Sequence, residues 1–407
     1  MAASVCNAPA ERPTAAEDSV NVDELCAELL RIATPEANLH GVIVERAGQL
    51  QLEAYFDGTD HPGASLLGRA STFTADDLHD VRSVTKSITA ILFGIALDQG
   101  AISSIDAPVL DYFPEYADLK TTPKSRITLA HLLGMASGLE WDESGSYIRW
   151  GNNETRMRFA GDQLRYVLDR DVVAEPGTLF NYNGGGTALL GETISRAVRR
   201  PLEVFADEVL FKPLDIRNSE WRRDRQGRVT PFGGLRLRPR DMAKIGRLVL
   251  DRGQWQGRQI VSAAWVDEML RDRLPANGLR YGWQWWRGQV RAGSARLPYV
   301  AAFGNGGQRI FLLPSVDLVV VVTARAVQPG DKLAGAAARL ERGGSVAPLA
   351  SFSVAHRCFD TCPHRLHAIF TLPGSRRPRW SALGRDRRRQ TTASERTGLN
   401  YRCGPSK

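Results

Sequence analysis

Ser83 and Lys86, in the run Arg82-Ser83-Val84-Thr85-Lys86-Ser87, are the pair whose residue types and spacing can do chemistry. Three residues apart on a helix, a hydroxyl and an amine lie on one face. If that face lines a cleft, the amine can take the serine proton and turn a weak nucleophile into an acylating one. The choice of cation points the same way, because the chain holds seven lysines against 46 arginines. Where it merely needs positive charge it uses arginine, which keeps its proton, whereas a buried lysine can lose one.

Two further stretches offer partners. In Pro176-Gly177-Thr178-Leu179-Phe180-Asn181-Tyr182-Asn183-Gly184-Gly185-Gly186, a tyrosine sits in a glycine-rich turn just before a helical pattern. Held on a cleft wall beside a cationic Lys86, its phenol pKa would fall and Tyr182 could shuttle protons. The plainer alternative is a loop tyrosine that packs and hydrogen-bonds locally. In Phe303-Gly304-Asn305-Gly306-Gly307-Gln308-Arg309, glycines lead into a strand. On an edge strand they would let a substrate carbonyl approach the backbone near Asn305 and Gly306, and an N–H there could complete an oxyanion hole with the N–H of Ser83. A simple bulge or turn is the alternative. A phosphate cradle is excluded by context, since no Lys-Ser/Thr follows the glycines and no helix does.

These residues need elements to hold them. Ile88, Ile91, Leu92, Ile95 and Ala96 recur at helical spacing and predict a one-faced helix that starts at the serine, with Gly100 as its stop. A helix is also expected from Val22 through Leu29 and Ile32, and others over 240–251 and 262–271. Residues 41–46 and 50–56 flank Ala47-Gly48-Gln49 and read as a β-hairpin. Arg309–Leu313 and Leu318–Thr323 form a second, whose latter strand is apolar throughout and so central. Between them, 100–235 reads as loops and short helices punctuated by proline. Strands at both ends and helices between give an α+β fold: an antiparallel sheet flanked by helices, with a large helical insertion.

Composition bounds the rest. At 407 residues and 43% hydrophobic, the chain can bury a substantial core. The net charge of +8 belongs to the end of the sequence, because residues 326–407 carry +10 and the preceding 325 carry −2. The body therefore shows no electrostatic footprint for nucleic acid. No apolar run reaches the roughly 18 residues of a membrane span, and the polar, alanine-rich start lacks a signal-peptide core. Five cysteines at irregular spacing fit a reducing compartment. The expectation is a cytoplasmic protein without a membrane or nucleic-acid partner; nothing in the sequence fixes its oligomeric state.

Taken together and in order, the Ser83–Lys86, Tyr182 and Gly304–Gly307 segments resemble the serine β-lactamase and penicillin-binding superfamily. The resemblance is nearest to class C β-lactamase-like esterases and amidases, including the nylon-oligomer hydrolases. It runs over roughly 35–325 and is supported by Ile127–Leu133 with Ser137-Gly138-Leu139, by Asp241–Gly246, by Tyr281–Trp286 and by Asp317–Val321. It implies a serine β-lactamase-like fold and acyl transfer through a covalent intermediate, without metal or cofactor. Ser83 would be the nucleophile, Lys86 its base, and Tyr182 the shuttle to the leaving group and then the activator of the deacylating water. Class A enzymes use a glutamate-bound water instead; no segment here presents itself as that glutamate.

Two departures shape the expected substrate. The family's Tyr-x-Asn is here Tyr182-Asn183-Gly184, so the side-chain amide at its third position is missing. The late Lys-Thr-Gly or His-x-Gly is replaced by Gly304-Asn305-Gly306, which leaves no cation there for a substrate carboxylate. A small or neutral ester or amide is then expected ahead of a β-lactam or a D-Ala-D-Ala peptide. A true β-lactamase or carboxypeptidase is one alternative, and a catalytically silent ligand-binding relative is another. His131, in an apolar helical context, reads as structural. Of Trp141, Trp150, Tyr281, Trp283, Trp285 and Trp286, one or two are expected to line a pocket and the others to be core.

The expected organisation is a disordered leader (1–21), one hydrolase domain (22–325) and an atypical basic tail (326–407). Within the domain, a sheet lobe takes about 22–75 and 235–325, and a helical lobe about 76–234. The tail's Cys358, Cys362, His364 and His367 match no standard zinc spacing. Its cluster Arg385–Arg389 could tether an acidic partner. The joint change of pattern, composition and charge suggests instead a dispensable, non-native extension.

Overall fold

The computed structural model describes residues 5–7, 26–27, 29–30, 33–34, 37–60, 68–144, 147, 150–292 and 295–325. The tail beyond 325, with the cysteine–histidine group and the arginine cluster, lies outside the described residues, as does Ile32 of the helix expected after Val22. Of that helix, residues 26–27 and 29–30 are helical. Within the stretch read as a leader, Val5–Asn7 forms a strand that pairs antiparallel with Gln49–Tyr55. Those three residues therefore belong to the sheet.

Nine antiparallel strands make the main sheet. From one edge to the other they run Val5–Asn7, Gln49–Tyr55, Leu39–Arg46, Leu318–Ala324, Gln308–Leu313, Ala295–Gly304, Trp286–Ala292, Leu279–Tyr281 and Leu274–Ala276. Both expected hairpins are present, and Leu318–Ala324 joins them at the sheet's middle, paired with Leu39–Arg46 and with Gln308–Leu313. Its apolar run, Leu318–Val322, has a direct cause. Val319 and Val321 enter the large core beneath the helices, while Leu318 and Val320 enter a second core on the opposite face. A strand buried on both faces favours apolar residues, and its one polar residue, Thr323, is buried with its Oγ1 donating to the Gly41 carbonyl at 3.4 Å.

The helix that starts after Ser83 spans Val84–Asp98, and every residue from Val84 to Ala96 is buried. The one-faced helix expected from the isoleucine and leucine spacing is therefore a fully enclosed one. Its polar residues each find a partner. Thr89 Oγ1 donates to the Pro231 carbonyl at 2.9 Å, and Ser87 Oγ donates to the Gln284 carbonyl at 2.6 Å. Gly94 lets the ring of Trp265 lie flush on the helix, where an added Cβ would stand 2.0 Å from the indole. Trp265 Nε1 donates to the Ala90 carbonyl at 3.0 Å, which locks the Ala263–Met269 helix to this one. Gly100, at φ +70°, ends the run as expected.

On its other side the serine helix packs against Gly184–Val198, the long helix of the insertion. Gln284, between the strands Leu279–Tyr281 and Trp286–Ala292, ties the two together. Its Nε2 donates to the carbonyls of Leu132 and Leu133 at 3.1 and 2.9 Å, and its Oε1 accepts from Thr187 Oγ1 at 2.9 Å. The Pro239–Leu250 helix covers the sheet and sits close because Gly246 meets Val319 and Ile310. The serine helix is thus clamped between sheet and insertion, with its N-terminus at their junction.

Candidate active site

Ser83 precedes the first turn of this helix and is half-buried. The residue before it, Arg82, is held at φ +52°, a backbone conformation costly for a residue with a Cβ. Lys86 is 1% exposed. Its Nζ donates to the Phe232 carbonyl at 2.8 Å and lies 3.0 Å from Ser83 Oγ, to which it also donates. Burial depresses the Lys86 pKa, opposed by the carboxyls of Glu143 and Glu154 and assisted by Arg158. A neutral amine can keep its bond to Phe232 and turn its lone pair to the serine hydroxyl. This is the geometry a general base needs.

Tyr182 comes to the same point from the insertion. Asn183 caps the Gly184–Val198 helix, its Oδ1 accepting from Gly186 N at 2.9 Å, while the Asn181 N–H donates to the Met135 carbonyl at 2.7 Å. Between these anchors Tyr182 comes beside Ser83, whose hydroxyl works to lower its phenol pKa, and Lys86 Nζ lies 4.8 Å from the centre of its ring. The expected fall in phenol pKa does not occur. Burial raises it far above the usual value, and the charges of Glu143 and Glu154 add to that. Tyr182 is therefore a neutral phenol, able to donate a proton rather than waiting as a phenolate.

Asn305 and Gly306 lie in the turn between Ala295–Gly304 and Gln308–Leu313. The expected edge strand is an interior one, since Ala295–Gly304 pairs on both sides. Pairing to Trp286–Ala292 stops at Ala301, however, so the last residues before the turn keep one side unpaired. Gly304 approaches the serine segment closely, and a Cβ there would stand 2.4 Å from the Val81 carbonyl and 3.2 Å from Arg82 Cβ. Arg309, fully enclosed, fixes the turn by donating to the Gly304 and Gln308 carbonyls at 2.6 and 2.8 Å.

Two readings of the sequence need correction. The first concerns cations. Arg325 follows the central strand, and its Cδ lies 3.9 Å from where a Cβ on Gly306 would be. Its charge, with those of Arg222 and Arg158, reaches Arg82, whose pKa is lowered to about 10, chiefly by burial, with Asp80 opposing. Positive charge is therefore present behind the turn, supplied by neighbouring elements in place of the strand itself.

The second concerns acids. Glu143 and Glu154 lie at the site, and sequence reasoning passed over both. Glu154 is buried on the Asn153–Phe159 helix and paired with Arg158 at 2.7 Å. Glu143 accepts from Trp141 Nε1 and from the Gly184 N–H, each at 2.7 Å. The two carboxyls also hydrogen-bond each other. Their position explains Gly184: a Cβ there would stand 2.8 Å from Glu154 Oε2 and 3.3 Å from Glu143 Oε2. The volume next to residue 184 is taken by carboxylates.

The other candidates fall in different places, and Trp150 departs from the expectation of pocket or core. His131 caps its own helix, its Nδ1 accepting from the Thr128 N–H at 3.1 Å. Trp283 and Trp285 are core. Trp286 and Tyr281 instead join Phe180 and Phe303 in an aromatic wall, and Trp286 stacks on Tyr182 with ring centres 5.9 Å apart. Trp150 is 65% exposed. Among the described residues no group of histidine, cysteine, aspartate and glutamate could hold a metal ion, and no helix is long and apolar enough to cross a membrane.

Residues 35–343 match the family described as Beta-lactamase, three-quarters of the sequence. The chain belongs to the beta-lactamase family. As a member it is a serine hydrolase with the mixed helix and antiparallel-sheet fold of the serine β-lactamases, and the match extends 18 residues beyond the expected limit at 325. It is 26% identical over 332 residues to the 6-aminohexanoate-dimer hydrolase of Paenarthrobacter ureafaciens, covering 76% of this chain and 78% of that protein. A solved structure from Bacillus anthracis, assigned as a 6-aminohexanoate-dimer hydrolase, superposes with a TM-score of 0.62 at 21% identity, over 81% of this chain and 86% of that one. A class C beta-lactamase from Rhodobacter sphaeroides gives 0.55 at 19% identity, over 76% and 95%.

Proposed function

We propose that this beta-lactamase family member cleaves a small ester or amide through an acyl-enzyme on Ser83. The observation that carries the reading is the convergence on one hydroxyl of two proton carriers from separate elements, Lys86 at 3.0 Å and Tyr182. Lys86 takes the Ser83 proton as Oγ attacks the carbonyl carbon. The oxyanion that forms is held by the backbone N–H of Ser83 and one from the turn at Asn305 and Gly306. Tyr182, a neutral phenol, gives its proton to the departing oxygen or nitrogen and takes one from the water that releases the acyl group. No cofactor enters this sequence of steps.

Support for an amide substrate comes from the relative from Paenarthrobacter ureafaciens, whose name specifies a linear amide, the 6-aminohexanoate dimer. The aromatic wall of Trp286, Tyr281, Phe180 and Phe303 suits an apolar acyl or leaving group. Arg325 beside Gly306 could answer a substrate carboxylate, which the 6-aminohexanoate dimer and a β-lactam both carry, so β-lactam cleavage is the second reading. Initial rates with p-nitrophenyl acetate, the 6-aminohexanoate dimer and a chromogenic cephalosporin separate these. Turnover of either of the first two, abolished in Ser83→Ala, supports the ester or amide reading; turnover of the cephalosporin alone replaces it. The even charge balance of residues 1–325 and the irregular cysteines support a cytoplasmic enzyme acting on a small molecule.

A further inference from the structure

Glu143 and Glu154 have no role in the chemistry just described, yet they occupy its most enclosed corner. Three observations define their state. The two carboxyls hydrogen-bond each other, which requires one proton between them. Among the described residues, the other hydrogen-bond partners of Glu143 are donors: the Trp141 indole, the Gly184 backbone N–H, and Tyr147 OH at 3.2 Å. One guanidinium, Arg158, serves the pair, and it binds Glu154. One cation and one shared proton therefore balance two carboxyls, with Lys86 as the next charge.

We propose that Glu143 and Glu154 share a single proton and act through Lys86 as positioning residues that set the pH range over which Ser83 is acylated. This rests on the acylation reading above. Among the described residues, the charged and titratable groups around the pair are Arg158 from the helix of Glu154, Lys86 from the serine helix, Tyr147 from the preceding loop, Tyr182 from the glycine-rich turn and Tyr281 from the sheet. Burial first, then the charge of Glu154, raises the Glu143 pKa to about 8, with Lys86 and the Gly184 N–H opposing. Below that pH the corner carries one negative charge, which Arg158 answers, and Lys86 is left free to be neutral. Above it the shared proton leaves to water. A second negative charge then appears within reach of Lys86 and holds the ammonium form, which cannot accept the serine proton.

The direction can be checked. Removing the ionisable group at 143 takes away the charge that appears above about pH 8 and holds Lys86 protonated, so labelling should no longer fall off above that pH. The experiment is the rate of Ser83 labelling by a fluorophosphonate between about pH 5 and about pH 10, in wild type, Glu143→Gln and Glu154→Gln. It is paired with infrared spectra of the unlabelled proteins in the carboxylic-acid C=O region. The expected result is a neutral-carboxyl band in wild type that fades as pH rises through about 8 and is missing from Glu143→Gln. Wild-type labelling should fall as pH rises through about 8, and the same variant should keep its rate there.

A structural role alone would change the rate at every pH and leave the fall above about pH 8 in place, which would overturn the proposal. So would a wild-type protein without the band that still labels, and this outcome leaves the acylation reading standing. A wild type that shows the band but never labels overturns both. If Glu143→Gln fails to fold, Glu154→Gln decides: relieved of its neighbour, the Glu143 band should fade at lower pH, and a band that fades where it does in wild type contradicts the sharing.

Discussion

Gly184 and Glu154 compete for one volume: a Cβ at residue 184 would stand 2.8 Å from Glu154 Oε2. The Tyr-x-Asn pattern that this segment resembles has an asparagine at this position, whose side chain would need that volume. In this protein the carboxyl pair occupies it, and glycine is what permits the exchange.

Restoring the asparagine should therefore harm the protein. Gly184→Asn forces the Glu143 and Glu154 carboxyls from their donors and disturbs Lys86 beyond them. Fluorophosphonate labelling should slow by about tenfold or more, with a fall in melting temperature. Labelling and melting equal to wild type would mean that the corner has room to spare.

Gln284 holds the site's scaffold. Gln284→Leu leaves the Thr187 hydroxyl and the Leu132 and Leu133 carbonyls buried without this partner. Each such group costs roughly 1–3 kcal/mol, so a loss of about 3 kcal/mol in urea unfolding is expected. A loss under about 1 kcal/mol would show that the network relaxes around the change.

Stability should fall in mild acid through His79. This imidazole is buried against His40, with an Nδ1–Nδ1 distance of 3.4 Å, and stacks near Phe73. Burial lowers its pKa from 6.5 to about 4, with Arg236 assisting and Asp77 and Asp80 opposing. The unfolded chain thus binds the proton more readily, and the contribution present above about pH 6.5 is lost as pH falls toward about 4. The full loss is on the order of 3 kcal/mol. Urea midpoints at about pH 7 and about pH 4.5 should differ less in His79→Gln than in wild type, and an equal difference would assign the acid sensitivity elsewhere.

A chain ending at residue 343, where the family match stops, should fold and label like the full-length protein. Melting curves and labelling rates compare the two. A truncated chain that fails to fold would make the tail part of the enzyme.

What was legible in the sequence was mostly local. Ser83 and Lys86 need only helical spacing to share a face, and Leu318–Val322 declares its central place by having no polar position. Tyr182 was legible as a candidate because its turn and the following helix are contiguous, but its pKa depends on Glu143 and Glu154. Those two glutamates are brought to Lys86 only by packing, on a loop and a short helix with no periodic signal of their own. The missing side chain at Gly184 was the one available clue, since a family amide replaced by glycine leaves a volume that something must fill. Arg325 was not legible for the same reason: it approaches Gly306 from the end of the neighbouring strand, a proximity that only the sheet's pairing creates.

The central claim is that Ser83 is an activated nucleophile with Lys86 as its base. Intact mass after exposure to a fluorophosphonate tests it most directly, on wild type, Ser83→Ala and Lys86→Ala. A single adduct on wild type, none on Ser83→Ala and slowing by about a hundredfold or more in Lys86→Ala is the predicted result. A folded wild-type protein that takes up no label would contradict the claim and make this chain a silent binder built on a hydrolase fold.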